Sequence, residues 1–132
     1  MSGKSILVDT NIVISHLRGD EAITSLFESK KVLIPSIVMG ELYVSVYLST
    51  ITEKQDVRLQ EIDKLIDLFE IIFVDTSISK VYGQIKAELK LKGTPIPEND
   101  IWIAAIARQL KLQLISRDKH FGYVQRLTIY DL

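Results

Sequence analysis

The chain contains no cysteine among its 132 residues. This absence excludes disulfide bonds, thiol catalysis and thiolate metal sites, so any metal ion must be bound by oxygen or by histidine nitrogen. A cysteine-free composition suits the cytosol, and we therefore expect a cytoplasmic protein. The 47% hydrophobic and 25% charged residues are typical of a globular chain, and the length predicts one domain, 1–132.

The sequence also lacks a charge excess and a long apolar run. Sixteen basic and 17 acidic residues give a formal net charge of -1, so a basic surface for nucleic acid has to be local. No apolar run approaches the roughly 20 residues of a membrane span, and no membrane partner is expected. The single early lysine, Lys4, before a short strand-like run is not the pattern of a signal peptide.

Short apolar runs alternate with helical patterns along the chain. The runs predict strands at 6–8, 32–34, 71–74, 112–116 and 127–130. Helices are predicted from 12 to near Gly19, after an Asp20 cap, after a Ser36 cap, over 53–69, from Ser77 to Gly93, and from Glu98 onward. This alternation is typical of a parallel α/β sheet with helices on both faces and strand ends at a common edge.

Four acidic residues occur where ligands bind in such a sheet. Asp9 follows the first strand, Glu41 lies in the helix after the second, Asp100 opens an apolar helix, and Asp118 follows the fourth strand. Ligands bind outside the carboxyl ends of parallel strands, which is where these acids are expected. Each acid also has a structural interpretation, as a helix cap, a solvated side chain, a partner of a helix dipole or a loop residue.

Glu41 is the most informative of the four, because it is the only charged residue from Val32 to Thr52. An ionised carboxylate in apolar surroundings is costly unless it is paired or binds a metal. Several carboxylates at one sheet edge repel each other unless a divalent cation neutralises them. Oxygen ligands favour magnesium or manganese, so the acids predict metal-dependent phosphoryl-transfer chemistry, most simply nuclease or phosphatase activity.

The motifs resemble those of the PIN-domain ribonucleases, and among them the VapC-type toxins of toxin–antitoxin pairs. The matching segments are Val8-Asp9-Thr10-Asn11, Gly40-Glu41-Leu42, Asn99-Asp100 leading into Trp102-Ile103-Ala104-Ala105, and Ser116-Arg117-Asp118 with Phe121. They occur in the family's order, and the resemblance covers essentially the whole chain.

The resemblance implies a PIN-like three-layer α/β/α sandwich with a short, mostly parallel central sheet. It implies endoribonuclease activity with magnesium or manganese bound by the four acids, which would be both catalytic and metal-binding: Asp9, Glu41, Asp100 and Asp118. It further implies supporting roles for four polar residues, namely Thr10, Asn11, Asn99 and Ser116. Such proteins commonly form homodimers, and a cognate antitoxin wraps the toxin near its active site.

Several residues around these motifs have more than one interpretation. His120 stands where many relatives carry a further acid, and a loop histidine without a role is favoured over a phosphate contact. Arg117, Lys119 and Arg126 flank the expected site and are candidate contacts for RNA phosphates. Tyr43, Tyr47 and Leu48 recur at helical spacing, which favours core packing over a groove for an antitoxin helix.

Two other functions remain open on the sequence alone. The first is a metal-dependent phosphatase or a receiver-like domain, which needs a nucleophilic aspartate with a partner lysine. The Asp9 turn has no second acid and no clear lysine partner. The second is a non-catalytic binding module that retains the PIN fold, which the departure at His120 keeps open.

Overall fold

The central sheet consists of four parallel strands. The computed structural model describes residues 5–50 and 52–132, so Lys4 lies outside the described residues. The strands are Ser5–Val8 (β1), Lys31–Pro35 (β2), Glu70–Ile72 (β3) and Gln113–Ile115 (β4). They are ordered β3-β2-β1-β4, and every pairing is parallel. The expected parallel α/β sheet is confirmed.

Six α-helices are found in the described ranges. They are Thr10–Leu17 (α1), Glu21–Ser29 (α2), Ser36–Tyr47 (α3), Gln55–Leu68 (α4), Thr76–Lys92 (α5) and Glu98–Leu110 (α6). Asp20 caps α2 by accepting a hydrogen bond from the Ile23 amide, and Gly93 ends α5 at a φ of 70°. Glycine reaches this left-handed conformation without the clash of a Cβ atom. No helix in these ranges is long and apolar enough to cross a membrane.

The sheet is covered by helices on both faces. Ile6, Leu7 and Val8 are all fully buried, although successive side chains of a strand point to opposite faces. Helices α5 and α6 pack together, while α3 packs against both α1 and α4. The resulting three layers agree with the sandwich that the resemblance implies.

The structure corrects several predicted boundaries. The fifth strand is wrong, because 127–130 is reduced to one isolated bridge between Ile129 and Leu114. The third strand ends at Ile72 rather than residue 74, and Phe73 beyond it is 70% exposed. Ser36 makes no capping hydrogen bond, since Pro35 occupies the cap position of α3. Asp75, instead of Ser77, caps α5 by accepting from the Ile78 amide.

The strand order places a topological switch between β1 and β4. The chain moves outward from β1 through β2 to β3, and then returns to place β4 on the other side of β1. Ligands of open parallel sheets bind at such a switch, outside the carboxyl ends of the strands. The backbone amide of Asp9 donates to the carbonyl of Ile115 at 3.0 Å, so the ends of β1 and β4 meet at this point.

Candidate metal centre

Asp9 lies at the end of β1 and is only 5% exposed. Its Oδ1 accepts a hydrogen bond from the Thr10 amide at 2.8 Å, so the residue does cap α1. Its Oδ2 accepts from the Ser116 hydroxyl at 2.6 Å and from the Asn11 side-chain amide at 3.3 Å. A helix cap requires only one of these oxygens. The second set of contacts fixes the carboxylate at the switch point.

A polar network joins the segments that follow β1 and β4. The Asn11 Nδ2 donates to Ser116 Oγ at 3.3 Å, and its Oδ1 accepts from the Arg117 amide at 3.2 Å. The Asp118 amide donates to the same Ser116 oxygen at 2.9 Å. The structure therefore brings the side chains of Asn11 and Ser116 to Asp9, whereas Thr10 contacts Asp9 only through its backbone amide.

His120 lies against two of the acids. Asp118 Oδ1 accepts from the His120 backbone amide at 2.9 Å and lies 2.8 Å from Nδ1 of its ring. The same Nδ1 lies 3.5 Å from Asp100 Oδ2. The sequence favoured a loop histidine without a role, although His120 stands where many relatives carry a further acid. The contact depends on a 3-10 turn, Lys119–Tyr123, that follows Asp118.

The pKa shifts show that the acids share one electrostatic environment. Burial, followed by the charges of Asp118 and Asp9, raises the pKa of Asp100 to about 7. Burial and then Asp9 raise the pKa of Glu41, while burial is the main cause of the raised pKa of Asp9. Burial also tends to raise the pKa of Asp118, but hydrogen bonds from His120 hold the pKa of Asp118 below its ordinary value.

The site has the features expected of a cation site. Glu41 Oε1 and Asp100 Oδ2 are buried and have no hydrogen-bond partner within the described part of the chain. Buried polar atoms are normally satisfied, and unpaired buried carboxylates are costly. A divalent cation fits both the unsatisfied oxygens and the mutual repulsion. Oxygens of Asp100 and Asp118 and a nitrogen of His120 lie within 4.8 Å of one another, so these three residues can hold such an ion. The charge of Asp9 acts on both Asp100 and Glu41, which places these acids in the same electrostatic environment, although Asp9 and Glu41 do not belong to that group of three.

The predicted basic residues differ in how free they are to contact RNA. Arg117 donates to Ser15 and lies 3.5 Å from Asp20. Lys119 is exposed and forms no ion pair within 5–50 and 52–132. Of the three, Lys119 is the one available to a ligand.

The structure does not bring Arg126 to the acids. It pairs with Glu88 of α5 at 3.1 Å, and Glu88 also binds Arg108 near the end of α6. Arg108 lies eight residues after Asp100 in this helix, which corresponds to about 12 Å along the helix axis. The expected phosphate contact by Arg126 therefore has no support in the geometry.

Asn99 lies on the Glu41 side of the site, and no hydrogen bond joins its side chain to the acids within the described residues. It is exposed and lines a groove with Glu41, Ile37, Gly40 and Val44. Successive residues of a helix point about 100° apart, so Asn99 and its buried neighbour in α6 face different surroundings. The supporting role that the resemblance implies for Asn99 stays a prediction.

The predicted core stripe along α3 is wrong in its second half. Tyr43 is partly buried, and its hydroxyl donates to Asp63 at 2.6 Å. Tyr47 and Leu48, however, are 63% and 77% exposed, as is Val44 at 54%. An apolar surface therefore continues along the helix from Glu41.

The fold and the site together define an α/β protein with an acidic centre at the switch point of a parallel sheet. The family model of the PIN domain matches residues 6–127. The chain therefore belongs to the PIN-domain family, which confirms the resemblance seen in its motifs.

The relatives include VapC-type ribonucleases and toxins. The chain is 35% identical over 115 residues to ribonuclease VapC2 of Haemophilus influenzae, covering 85% of each protein. It is 30% identical over 134 residues to toxin FitB of Neisseria gonorrhoeae, covering 96% of each. Its structure resembles DNA-bound VapBC of Salmonella typhimurium with a TM-score of 0.87, at 27% identity over 96% of this chain and 97% of that one. FitAcB of N. gonorrhoeae gives a TM-score of 0.84, at 27% identity over 96% of both chains.

Proposed function

We propose that this protein is a divalent-metal-dependent endoribonuclease and the toxin of a type II toxin–antitoxin pair. The observation that carries the proposal is the cluster of four acids at the switch point, in which Glu41 Oε1 and Asp100 Oδ2 are buried without a partner. Membership of the PIN-domain family and similarity to proteins named ribonuclease VapC support the same activity.

The residues of the chain prepare the site for a cation and a phosphodiester. A bound magnesium or manganese ion supplies neutralisation of negative charge, activation of water and stabilisation of the leaving oxygen. Hydrogen bonds from Thr10, Asn11 and Ser116 orient Asp9, so this carboxylate is held in place before any ligand binds. Glu41 approaches from α3 and extends the acidic cluster toward the groove beside it.

A local basic contact to RNA is provided by Lys119. It directly follows Asp118, is exposed, and has no ion-pair partner in the described ranges. Phosphate contacts of this kind supply affinity without reading the base. We assign no such contact to Arg126, because Glu88 holds its guanidinium.

An antitoxin is the proposed protein partner. VapBC and FitAcB, the structures that resemble this chain, are complexes of toxin–antitoxin systems. The exposed Val44, Tyr47 and Leu48 offer an apolar surface that begins beside Glu41. An amphipathic antitoxin helix on this surface would cover the entrance to the acids. We also propose that the protein forms a homodimer. Light scattering, which measures the molar mass in solution, tests this proposal.

Cleavage of total cellular RNA by the purified protein tests the activity. We expect cleavage with magnesium or manganese, none after chelation, and none with Asp100→Asn. The matched control is Asp67→Asn, which makes the same chemical change on an exposed position of α4 and should leave cleavage intact. Cleavage that persists in Asp100→Asn, or that ignores the chelator, would contradict the proposal. Metal binding without cleavage would favour a binding module.

Growth assays test the antitoxin. Expression of the chain alone should arrest growth, and co-expression of the product of a neighbouring small reading frame should restore it. Tyr47→Ser should retain the arrest but escape the rescue, since Tyr47 lies on the apolar surface rather than among the acids. Full rescue of this variant would contradict the proposal that the antitoxin binds the apolar surface containing Tyr47.

A further inference from the structure

His120 places a nitrogen among carboxylate oxygens. One ligand atom from each of Asp100, Asp118 and His120 can be chosen so that all three lie within 4.8 Å of one another. Asp100 is 8% exposed, and its Oδ2 has no hydrogen-bond partner among the described residues. That oxygen faces the His120 ring at 3.5 Å, which is too far for a good hydrogen bond. The three groups are therefore close enough to share one cation, and Asp100 Oδ2 is the atom among them that lacks a hydrogen-bond partner.

The fold holds the backbone of His120 at this point, while the half-exposed ring is positioned by the 2.8 Å contact of its Nδ1 with Asp118 Oδ1. Asp118 accepts one hydrogen bond from the backbone amide of His120, which fixes the start of the 3-10 turn. The next residue, Phe121, is 1% exposed and anchors the turn in the core. A ligand whose backbone is fixed on both sides loses little freedom when it binds a cation.

We propose that a ring nitrogen of His120 binds the cation together with Asp100 and Asp118, and that this nitrogen makes the site prefer manganese over magnesium. Imidazole suits transition metals, whereas magnesium favours oxygen ligands and retains its waters. This inference rests on the proposed metal site and concerns the preference of that site for manganese over magnesium. A second role for the ring, hydrogen bonding to Asp118 alone, predicts no such selectivity.

Calorimetric titration of the metal-free protein with manganese and with magnesium measures the preference directly. His120→Gln should lower the ratio of manganese to magnesium affinity by about tenfold or more, within the range seen when groups around a metal are removed. His120→Asp restores an all-oxygen set and should raise magnesium affinity relative to manganese. The matched control, Lys119→Gln, removes a neighbouring charge and should change both affinities alike, so that their ratio stays constant.

Pulsed electron paramagnetic resonance of the wild-type manganese complex gives a readout that depends neither on activity nor on the folding of a variant. The wild-type complex should show hyperfine coupling to a directly bound ¹⁴N nucleus, and His120→Gln should lose it. Absence of this coupling in the wild type overturns the proposal, as does an unchanged affinity ratio in a folded His120→Gln.

The experiments distinguish a failure of the acidic metal site from a failure of the His120 ligand. If both metals bind and Asp100→Asn weakens both, but no ¹⁴N coupling appears, His120 is not a ligand and the proposed nuclease site stands. If manganese binds the wild type and Asp100→Asn equally, or binds neither, the acidic site itself fails.

Discussion

Replacing Asp100 by asparagine should stabilise the metal-free protein while removing its activity. The raised pKa, about 7 instead of 3.8, means that the folded state resists ionisation of this carboxyl group. Between these two values the folded state binds more protons than the unfolded state, so the free energy of unfolding falls as pH rises. The loss begins above about pH 4 and is complete above about pH 7.

The size of the effect follows from the same pKa. Each pKa unit corresponds to about 1.4 kcal/mol, so the full difference has an upper limit of roughly 4 kcal/mol. Relaxation of the surrounding structure and entry of water around the ionised carboxylate reduce this free-energy difference. We therefore expect Asp100→Asn to be more stable than the wild type by about 2 kcal/mol at alkaline pH. Near pH 4 the asparagine and the protonated acid are similar, so the two proteins should differ little there.

Urea unfolding in chelator, followed by the fluorescence of Trp102, measures this difference. Trp102 is the single tryptophan and stacks on Tyr82 with a ring-centroid distance of 3.7 Å, so its emission reports on the packing of α5 and α6. The control Asp67→Asn lies on an exposed helix face and should stay within about 0.5 kcal/mol of the wild type at every pH.

Addition of manganese should reverse the order of stability. A ligand that binds only the folded state at 100 times its Kd contributes about 2.7 kcal/mol, and Asp100→Asn forfeits most of this gain. The reasoning is refuted if Asp100→Asn is less stable than the wild type at alkaline pH without metal. It is also refuted if the difference between them does not change with pH.

Three further predictions concern the surroundings of the acids. Ser116→Ala removes the 2.6 Å hydrogen bond to Asp9 and should lower both manganese affinity and RNA cleavage by about tenfold, measured by calorimetry and by single-turnover kinetics; unchanged values would contradict a positioning role. Phe121→Ala empties a fully buried position and should reduce the free energy of unfolding by about 3–5 kcal/mol, and a loss below about 1 kcal/mol in urea titration would count against the anchoring of the turn. Lys119→Gln should weaken RNA binding and reduce the slope of log affinity against log salt by about 1, while Arg126→Gln leaves the slope unchanged; the reverse pattern in binding titrations would contradict the assignment.

The parts of the fold that could be predicted from the sequence are those with a strong local signal. The apolar run before Asp9 predicted β1. Because Asp9 follows that strand, the sequence also predicted that its carboxylate would lie at the carboxyl edge of the sheet. The isolation of Glu41 in an uncharged segment predicted an acid that needs a partner or a metal ion, and the structure shows this half-buried side chain under the influence of the Asp9 charge. In both cases the information is contained in a few neighbouring residues.

The remaining features depend on contacts between distant segments. The ring of His120 meets Asp100 only because the 3-10 turn after β4 packs beside the start of α6. Arg126 flanks the site in sequence, but its ion pair with Glu88 holds it elsewhere. The segment 127–130 has an apolar, strand-like composition, yet it forms a single bridge with Leu114. Local patterns do not determine such outcomes.

The most direct test of the central claim is anomalous diffraction from crystals of the wild-type protein grown or soaked with manganese. We expect an anomalous peak at the switch point between β1 and β4, about 2 Å from carboxylate oxygens of the acidic cluster. The same crystals of Asp100→Asn should show a weaker peak or none. A wild-type map without a peak at this site, at manganese concentrations that support RNA cleavage, would contradict the account.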